Sequence, residues 1–331
     1  MATRKIHILG GGSLGLLLAS LASTSSSRFV PTLILRQPSY IKFLNRGARL
    51  TYYPHGENFE SNDRIVASEM VTDTSQIDVL FLATKAHHAI NALESIQHRL
   101  TPLSVIFLFQ NGLMGLLREM SSRKLAISKS QVVLGSVTHG SWRKDEFSVV
   151  HAGAGDISFG LDQSGSILPD ALERSERQQT EDVLRNVISD VPDLNSTQFS
   201  YDDMQRILWK KLVANCCINP LTGLSNRKNG LLNNSSDFQT MSQIISEVIP
   251  LLPHDLFPDQ PHKILLTHVL DIIRLTANNR SSMLQDMANH QQTEIEYLNG
   301  YIVKLAAERG IPAPLNQSLK KQVQANKILK T

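Results

Sequence analysis

A lysine within the apolar stripe of a helical segment is the first sign of chemistry in this sequence. Residues 204–217 have helical spacing, and at 100° per residue Lys211 and Asn215 share a face with apolar residues. An unpaired ammonium among apolar side chains costs several kcal/mol. Lys211 therefore has a carboxylate partner, reaches the edge of the apolar surface, or lines a cleft that uses its charge. In a cleft, such a cation can stabilise negative charge that develops on a bound ligand and can donate a proton to it.

A glycine-rich loop near the amino terminus has the spacing of a dinucleotide-binding loop. Apolar residues 6–9 lead into Gly10, Gly11, Gly12, Ser13, Leu14 and Gly15. In the GxGxxG pattern, Gly10 and Gly12 keep side chains away from the turn and the pyrophosphate, and Gly15 allows close packing of helix on strand. The following helix offers its amides and positive dipole to the phosphates. Because the motif follows a strand pattern and opens a helix, it predicts cofactor binding more strongly than a glycine turn without a ligand.

Three polar residues follow further strand patterns and are candidate cofactor residues. Arg36 stands where NAD-preferring proteins usually carry an acidic residue for the ribose 2′-hydroxyl. Arginine can instead pair with a 2′-phosphate, which predicts a preference for NADP(H), the alternative being a solvated surface arginine. Lys85 and Asn111 each follow a later strand pattern. Ligands of open α/β sheets lie beyond the carboxyl ends of strands, so both are candidates by position, although each alone is compatible with an ordinary loop residue.

Apolar runs of strand length predict the sheet that holds this loop. They cover residues 5–9, 32–35, 78–83, 104–109 and 132–138. The runs are nearly continuous in hydrophobic residues and are joined by connections of helical length, as in parallel strands buried on both faces. The more polar residues 161–182 predict a loop and an exposed helix.

Helical patterns replace strand patterns in the rest of the chain. They cover residues 204–217, 238–252, 263–275 and 294–309 and are interrupted by Pro250, Pro253, Pro258 and Pro261. The sequence therefore predicts an α/β protein, with a Rossmann NADP-binding domain over residues 1–200 and an all-helical substrate and catalytic domain over residues 201–331.

The composition excludes several classes of protein. The chain has 331 residues, of which 41% are hydrophobic, and a net charge of +3 from 33 basic and 30 acidic residues. This balance excludes global disorder and favours a small anionic ligand over nucleic acid. Adjacent Cys216 and Cys217, and adjacent His87 and His88, do not have metal-site spacing, so no metal is expected. No membrane segment or leader peptide is expected either, which predicts a cytoplasmic protein.

Two C-terminal motifs resemble the signature of the ketopantoate reductase (2-dehydropantoate 2-reductase) family. The first is WKKLVANCCINPLT at residues 209–222, followed by Asn229-Gly230. The second is TANNRSSMLQDM at 276–287 with TEIEYLNG at 293–300. The glycine loop, the turn at 84–86 and residues 110–112 come in the expected order, so the resemblance extends from residue 5 to about 314. It implies a Rossmann domain followed by a helical domain of the 6-phosphogluconate-dehydrogenase type.

The resemblance also implies roles for matched positions. Lys211 corresponds to the catalytic general acid, and Glu294 to the acidic residue that works with it and holds the substrate. Arg36 and Lys85 correspond to the arginine and lysine of the NADP site, and Asn111 to a position that touches both cofactor and substrate. The implied substrate-binding residues, besides Asn111, are Asn215, Asn219, Asn229, Asn279 and Ser282.

The function predicted in this way is NADPH-dependent reduction of 2-dehydropantoate to (R)-pantoate, a step of pantothenate biosynthesis in the coenzyme A pathway. One alternative is a reductase of another branched 2-keto acid; the other is a catalytically silent binding or regulatory relative, which the presence of Lys211 and Glu294 disfavours. Asn279 and Ser282, three residues apart, are predicted to share a helical face. The expected partner is a small-molecule 2-keto acid rather than nucleic acid or membrane, and the protein is expected to be a monomer or homodimer.

Overall fold

The computed structural model describes residues 4–23, 29–56, 60–123, 130–163 and 174–328. The chain divides into two compact units, Met1–Met204 (unit 1) and Gln205–Thr331 (unit 2). The predicted domains 1–200 and 201–331 differ from this division by a few residues, and their assignment to cofactor and substrate stays a prediction.

Unit 1 contains all the strands of the described residues. They are β1 (Arg4–Leu9), β2 (Phe29–Leu35), β3 (Arg49–Tyr53), β4 (Asn62–Ile65), β5 (Ala67–Met70), β6 (Val79–Leu82), β7 (Val105–Leu108), β8 (Gln131–Val137), β9 (Gly140–Asp145), β10 (Ser148–Gly153), β11 (Ile157–Leu161) and β12 (Ser196–Gln198). Its helices are α1 (Ser13–Ala22), α2 (Gln37–Asn45), α3 (Ala86–Ile96), α4 (Leu113–Arg123) and α5 (Arg174–Asp190).

The larger sheet confirms the predicted parallel α/β architecture. Its strand order is β12-β11-β8-β7-β6-β1-β2-β5. The strands from β8 to β5 are parallel, whereas β11 is antiparallel to β8. The five predicted strands correspond to β1, β2, β6, β7 and β8. Every residue of β6 and β7 is buried, which explains why both read as continuous apolar runs.

A second sheet of unit 1, in the order β4-β3-β10-β9, was missed by the sequence analysis. Its outer strands are exposed and largely polar, with the sequences NDRI in β4 and GSWRKD in β9, so no apolar pattern marks them. The strands β3, β9 and β10 contact α1, the helix that follows the glycine loop. In the predicted 161–182 segment, residue 161 ends β11 and α5 begins at Arg174, while residues 164–173 lie outside the described residues.

The regular secondary structure of unit 2 is entirely helical in its described residues, as predicted. Its helices are α6, which begins at the end of unit 1 (Tyr201–Ser225), α7 (Ser235–Val248), α8 (Pro261–Leu275), α9 (Ser282–Ala288), α10 (Asn299–Glu308) and α11 (Pro314–Ile328). The prolines between α7 and α8 fall where predicted, and Pro261 occupies the first turn of α8. The predicted helix 294–309 was too long, because Glu294 precedes a short 3-10 helix, Ile295–Tyr297, and α10 begins only at Asn299.

The helix α6 continues past its predicted end at residue 217 and through Pro220. A proline has no N–H, so the carbonyl of Cys216, four residues earlier, loses its helical donor. The side chain of Asn299 supplies a replacement, with Nδ2 donating to that carbonyl at 3.1 Å. A tertiary hydrogen bond therefore supports the helix at a point where local sequence signals predict its end.

Candidate active site

The glycine loop contains two glycines that the protein's own packing requires. Gly10 has φ of +130°, and a Cβ there would lie 2.7 Å from the carbonyl carbon of Ala83. A Cβ on Gly15 would lie 1.8 Å from the carbonyl oxygen of Gly10. Gly11 and Gly12, by contrast, have nothing within 4 Å of a built Cβ. The open space beside these two residues fits the close approach of a phosphate to bare backbone.

The amino end of α1 faces the same space. Gly12 is the N-cap residue, no side chain caps the helix, and the first turn, which includes Ser13, carries no acidic residue. Leu14 is partly buried and packs on the core of unit 1. The loop thus presents uncapped amides and the positive end of a helix dipole, as a dinucleotide pyrophosphate requires.

The predicted cofactor residues of the other strands lie at the same edge of the sheet. Leu9 pairs with Ile34 on one side and with Leu82 on the other, and Leu82 pairs with Leu108. Residues that follow these parallel strands therefore emerge together beside the glycine loop. They include Arg36, the N-cap of α2; Lys85, the N-cap of α3; and Asn111, before α4.

Two buried polar atoms at this edge were missed by the sequence analysis. Gln110 is 4% exposed, and its Nε2 donates to the Leu82 carbonyl at 2.7 Å. Its Oε1 and the Thr84 hydroxyl are both buried without a hydrogen-bond partner among the described residues. Since buried polar atoms are nearly always paired, these two fit hydrogen bonds to a bound cofactor. Sequence alone could place Gln110 and Thr84 at strand ends, but not reveal that their partners are missing.

In unit 2, three predicted site residues follow one another along a single face of α6. Lys211, Asn215 and Asn219 are spaced by four residues. The first two are half-buried and Asn219 is only 5% exposed. The carboxamides of both asparagines form no hydrogen bond with any described side chain or backbone group. The Lys211 ammonium and the two carboxamides thus line this face, an arrangement suited to a polar ligand.

Cys216 and Cys217 do not belong to this face. Both are buried free thiols, and burial raises the pKa of each well above its usual value. The two thiols are therefore neutral core groups.

Asn229 and Asn279 are brought together by the backbone. The Asn229 amide donates to the Asn279 carbonyl at 3.0 Å, and Asn229 Nδ2 donates to the Thr276 hydroxyl at 2.9 Å. Asn229 is buried and its Oδ1 is unpaired among the described residues, whereas Asn279 is exposed. In this geometry Asn229 holds the turn that carries Asn279.

The prediction that Asn279 and Ser282 share a helical face was wrong. The Ser281 hydroxyl accepts a hydrogen bond from the Leu284 amide at 3.1 Å and caps α9, so the helix begins only at Ser282. Asn279 lies in the preceding turn. Ser281 also pairs with the Thr222 hydroxyl of α6 at 2.7 Å, a contact that the sequence analysis missed and that fixes the start of α9 against α6.

Glu294 completes the set of predicted residues in unit 2. It is 8% exposed and lies directly before the 3-10 helix Ile295–Tyr297. The same segment leads into Asn299, whose side chain is bonded to the Cys216 carbonyl of α6. The segments that carry Ser282 and Glu294 are thus each hydrogen-bonded to α6, near Asn219 and Asn215 respectively.

Two other findings concern the described residues as a whole. No group of three or more histidine, cysteine, aspartate or glutamate side chains within them could hold a metal ion. None of the helices in the described ranges has both the length and the apolar character needed to cross a membrane.

Comparison with known proteins extends over most of the chain. The ketopantoate reductase PanE/ApbA family model matches residues 6–163, and the PanE/ApbA C-terminal model matches residues 203–327. The 2-dehydropantoate 2-reductase of Bacillus subtilis (strain 168) is 31% identical over 310 residues, which cover 93% of this chain and 93% of that protein.

Solved structures agree with this match. The crystal structure of a probable 2-dehydropantoate 2-reductase from Bacillus subtilis has a TM-score of 0.76 at 26% identity, covering 97% of this chain and 99% of that one. A ternary structure of D-mandelate dehydrogenase with NADH and anilino(oxo)acetate has a TM-score of 0.78 and covers 98% and 99% of the two chains, but at 17% identity it shows the fold alone. By its sequence identity to the Bacillus subtilis reductase along nearly its whole length, the chain belongs to the ketopantoate reductase family.

Proposed function

We propose that this chain is an NADPH-dependent reductase that converts 2-dehydropantoate to (R)-pantoate. The observation that carries the proposal is the α6 face on which Lys211 is followed by the carboxamides of Asn215 and Asn219, neither of which has a hydrogen-bond partner among the described residues. A buried carboxamide without a partner costs stability, so its retention supports a role in ligand binding. Membership of the family supplies the substrate class.

The residues of α6 suit the reduction of a 2-keto acid. The Lys211 ammonium hydrogen-bonds to the keto oxygen and donates a proton to it as negative charge develops there. The proton on the product hydroxyl therefore comes from Lys211, which is reprotonated from water. Asparagine amides and the Ser282 hydroxyl are donors for the substrate carboxylate. Glu294, from the resemblance, holds the substrate and works with the lysine.

The carboxyl edge of the larger sheet suits NADP(H). When bound, the cofactor supplies the hydride that reduces the carbonyl carbon. Gly11, Gly12 and the start of α1 would hold its pyrophosphate, and Arg36 its 2′-phosphate, with Lys85 and Asn111 beside them. Arg36 is exposed at the end of β2, with no acidic residue in its place to bind a free 2′-hydroxyl.

The proposal is tested by NADPH oxidation with 2-dehydropantoate on the purified protein and its Lys211→Ala variant. We expect kcat to fall roughly 10²- to 10⁴-fold, as for removal of a general acid, with little change in the dissociation constant for NADPH. Lys210→Ala is the matched control, because Lys210 is adjacent on α6 but lies over the ring of Phe257. Wild-type turnover in Lys211→Ala would refute the assigned role.

A panel of branched 2-keto acids separates the second candidate, a reductase of a different keto acid. The named groups recognise the carboxylate and carbonyl shared by all of them, and leave the tail to other contacts. A kcat/KM for another keto acid well above that for 2-dehydropantoate would favour this candidate. Absence of NADPH oxidation with every member would favour a binding protein without turnover.

A further inference from the structure

The second sheet of unit 1 brings a basic side chain to the glycine loop. Arg143, on β9, donates from Nη1 to the Gly11 carbonyl at 3.3 Å. Its side chain is exposed, and β9 is separated from the loop by more than a hundred residues of sequence. No motif marks Arg143, and neither the family signature nor the GxGxxG pattern includes it. The hydrogen bond places its guanidinium at the part of the loop where a built Cβ meets open space.

The register of the larger sheet brings Arg36 to the same edge as the glycine loop. Leu9 of β1 pairs with Ile34 of β2. This is the last pair of the register, and Gly11 and Arg36 each follow it by two residues, so both leave the sheet at the same edge. Arg143 touches Gly11, so Arg36 and Arg143 approach the same side of the loop from two different elements.

The turn between β9 and β10 is also fastened to the helix that follows Arg36. Glu146 in this turn accepts hydrogen bonds from Ser39 and Lys42 of α2, both at 2.9 Å. The neighbouring rings of Phe43 and Phe147 pack with their centroids 5.0 Å apart. These contacts hold β9 on the β2 side of the glycine loop, which in a dinucleotide fold is the adenosine side.

The two arginines are not directly paired with carboxylates of the protein. Among the described residues neither Arg36 nor Arg143 forms an ion pair with a carboxylate, and the Glu146 carboxylate interacts with Arg143 only at longer range. Glu146, the acidic residue of the adjoining turn, is already paired with Lys42. Two cations near one loop repel each other, and a phosphate that accepts hydrogen bonds from both converts the repulsion into attraction.

We propose that Arg143 binds the 2′-phosphate of the cofactor together with Arg36 and is a specificity-determining residue for NADP(H). A planar guanidinium can donate two parallel hydrogen bonds to a phosphate, which suits this role. The inference rests on the proposed function for its cofactor. It adds a strand of the second sheet to a site otherwise built from the larger sheet.

The inference is tested by measuring how tightly cofactors and cofactor fragments bind to the protein in the absence of the keto acid. Dissociation constants for NADPH and NADH are determined by fluorescence titration, and those for 2′,5′-ADP and 5′-AMP by calorimetry, for the wild type and Arg143→Gln. Loss of a charge-assisted contact should weaken NADPH and 2′,5′-ADP binding by about 10- to 100-fold. Binding of NADH and 5′-AMP, which lack the phosphate, should change by less than about twofold.

Lys144→Gln is the matched control. It removes the same charge from the next residue of β9, but the Lys144 ammonium lies 4.3 Å from the ring centroid of Tyr53 and its side chain bonds to the Tyr53 hydroxyl. Arg36→Gln is the positive control, because Arg36 is the other residue proposed to bind the 2′-phosphate and its loss should weaken NADPH binding selectively. An equal loss of NADPH and NADH affinity in Arg143→Gln would place Arg143 on the pyrophosphate or in the fold and overturn the inference, as would no loss at all.

The two proposals can fail separately. If the wild type binds 2′,5′-ADP no more tightly than 5′-AMP, the NADP(H) preference itself is wrong. If the wild type prefers 2′,5′-ADP and Arg143→Gln keeps that preference, only the role of Arg143 is wrong.

Discussion

Two groups of charged residues in unit 1 differ in where their hydrogen bonds go. The first, the Glu69 cluster, consists of the charged residues Lys5, Glu69 and Arg99 together with His7 and Ser75. Arg99 is fully buried, pairs with Glu69 through Nη2, and donates to the Ser75 carbonyl at 2.8 Å. Lys5 pairs with the same carboxylate at 2.6 Å. Although burial raises the pKa of Glu69, hydrogen bonds from Lys5 and Arg99 outweigh it and lower that pKa to about 2.

The second group is the pair of arginines beside the glycine loop. Arg36 and Arg143 are exposed, and Arg143 donates to the Gly11 carbonyl rather than to a carboxylate. In the Glu69 cluster the charges compensate one another within the protein, so removing one should reduce stability. At the loop neither arginine forms a direct ion pair with a carboxylate among the described residues, so removing one should reduce ligand binding with little effect on stability.

The largest expected effect on stability comes from replacing Arg99, which tests whether the Glu69 cluster stabilises the fold. Arg99→Met leaves Glu69, which is 12% exposed, without its guanidinium partner. Breaking a buried pair in this way should lower the free energy of unfolding by about 3–5 kcal/mol, measured by urea denaturation. The double variant Arg99→Met/Glu69→Gln should lose less than the two single variants combined. Arg36→Met is the control and should change stability by less than about 0.5 kcal/mol; a comparable loss there would break the contrast.

A second internally paired network of unit 1, the histidine chain, consists of Tyr52, His151 and His139. His139 Nε2 donates to the Leu194 carbonyl at 3.2 Å, so its Nδ1 is an acceptor for His151 Nε2 at 3.1 Å. His151 Nδ1 in turn accepts from the Tyr52 hydroxyl at 2.9 Å. Every position in the chain is used with both imidazoles neutral, and a further proton would face a donor.

The histidine chain predicts that the stability of the protein falls in acid. Burial lowers the pKa of His139 and lowers that of His151 to about 4, with neighbouring His55 contributing to both. Below pH 6.5 the unfolded chain binds protons that the folded chain does not, so stability is fully present above pH 6.5 and falls as the pH drops toward 4. We expect a loss of about 2–3 kcal/mol over that window, measured by urea unfolding at several pH values.

Two variants test whether His151 causes this loss of stability at low pH. His151→Gln removes the titrating ring, so stability should vary less between pH 7 and 5 than in the wild type. His98→Gln, at an exposed histidine of unit 1, should keep the wild-type slope. An unchanged slope in His151→Gln would assign the acid sensitivity to other groups, such as buried His7, whose pKa is also lowered by burial.

Unit 2 shows the same difference between structural and ligand-binding groups in two asparagines. Asn299 is hydrogen-bonded to α6, and Asn215 is part of α6. Asn299 is fully buried and donates to the Cys216 carbonyl and, at 2.9 Å, to Asn316 Oδ1. Because it replaces the donor missing at Pro220, Asn299→Ala should cost about 1–3 kcal/mol of unfolding free energy. Asn215→Ala should change stability by less than about 0.5 kcal/mol and raise KM for the keto acid. The reverse pattern would mean that Asn215 is structural.

The same contrast explains what could be predicted from sequence. The five strands β1, β2, β6, β7 and β8 were predictable because burial on both faces leaves a continuous apolar run. The second sheet was not, since β9 is mostly polar and its pairing with β10 and its contact with α1 are tertiary. The continuation of α6 through Pro220 could not be predicted for a similar reason. The donor that replaces the missing proline N–H is Asn299, which lies far along the sequence.

Candidate site residues divide in the same way. The GxGxxG spacing and the i, i+4 spacing of Lys211 and Asn215 are local, so sequence could place them on a loop and a helix. Arg143 could not be found in this way, because its relation to Gly11 exists only after the second sheet has folded. Asn279 was misplaced because its three-residue spacing from Ser282 suits a helix, whereas the Ser281 hydroxyl caps the Leu284 amide and α9 begins only at Ser282.

The smallest expected effect on stability comes from a substitution in the glycine loop, Gly12→Ala. The same substitution is expected to weaken cofactor binding. A Cβ added to Gly12 meets nothing within 4 Å, and the residue has φ of −80°, which alanine adopts without strain. Gly12→Ala should therefore leave the free energy of unfolding within about 1 kcal/mol of the wild type. If the open space is the pyrophosphate site, the methyl group should weaken NADPH and NADH binding together.

Gly153→Ala is the control for this prediction, because Gly153 also has open space around a built Cβ but lies at the end of β10. It should alter neither stability nor binding by a measurable amount. Joint loss of NADPH and NADH affinity in Gly12→Ala, set against a selective loss of NADPH affinity in Arg143→Gln, would separate the shared pyrophosphate contact from the 2′-phosphate contact within one loop. Unchanged affinities in Gly12→Ala would show instead that the open space at Gly12 is not where the cofactor approaches the backbone.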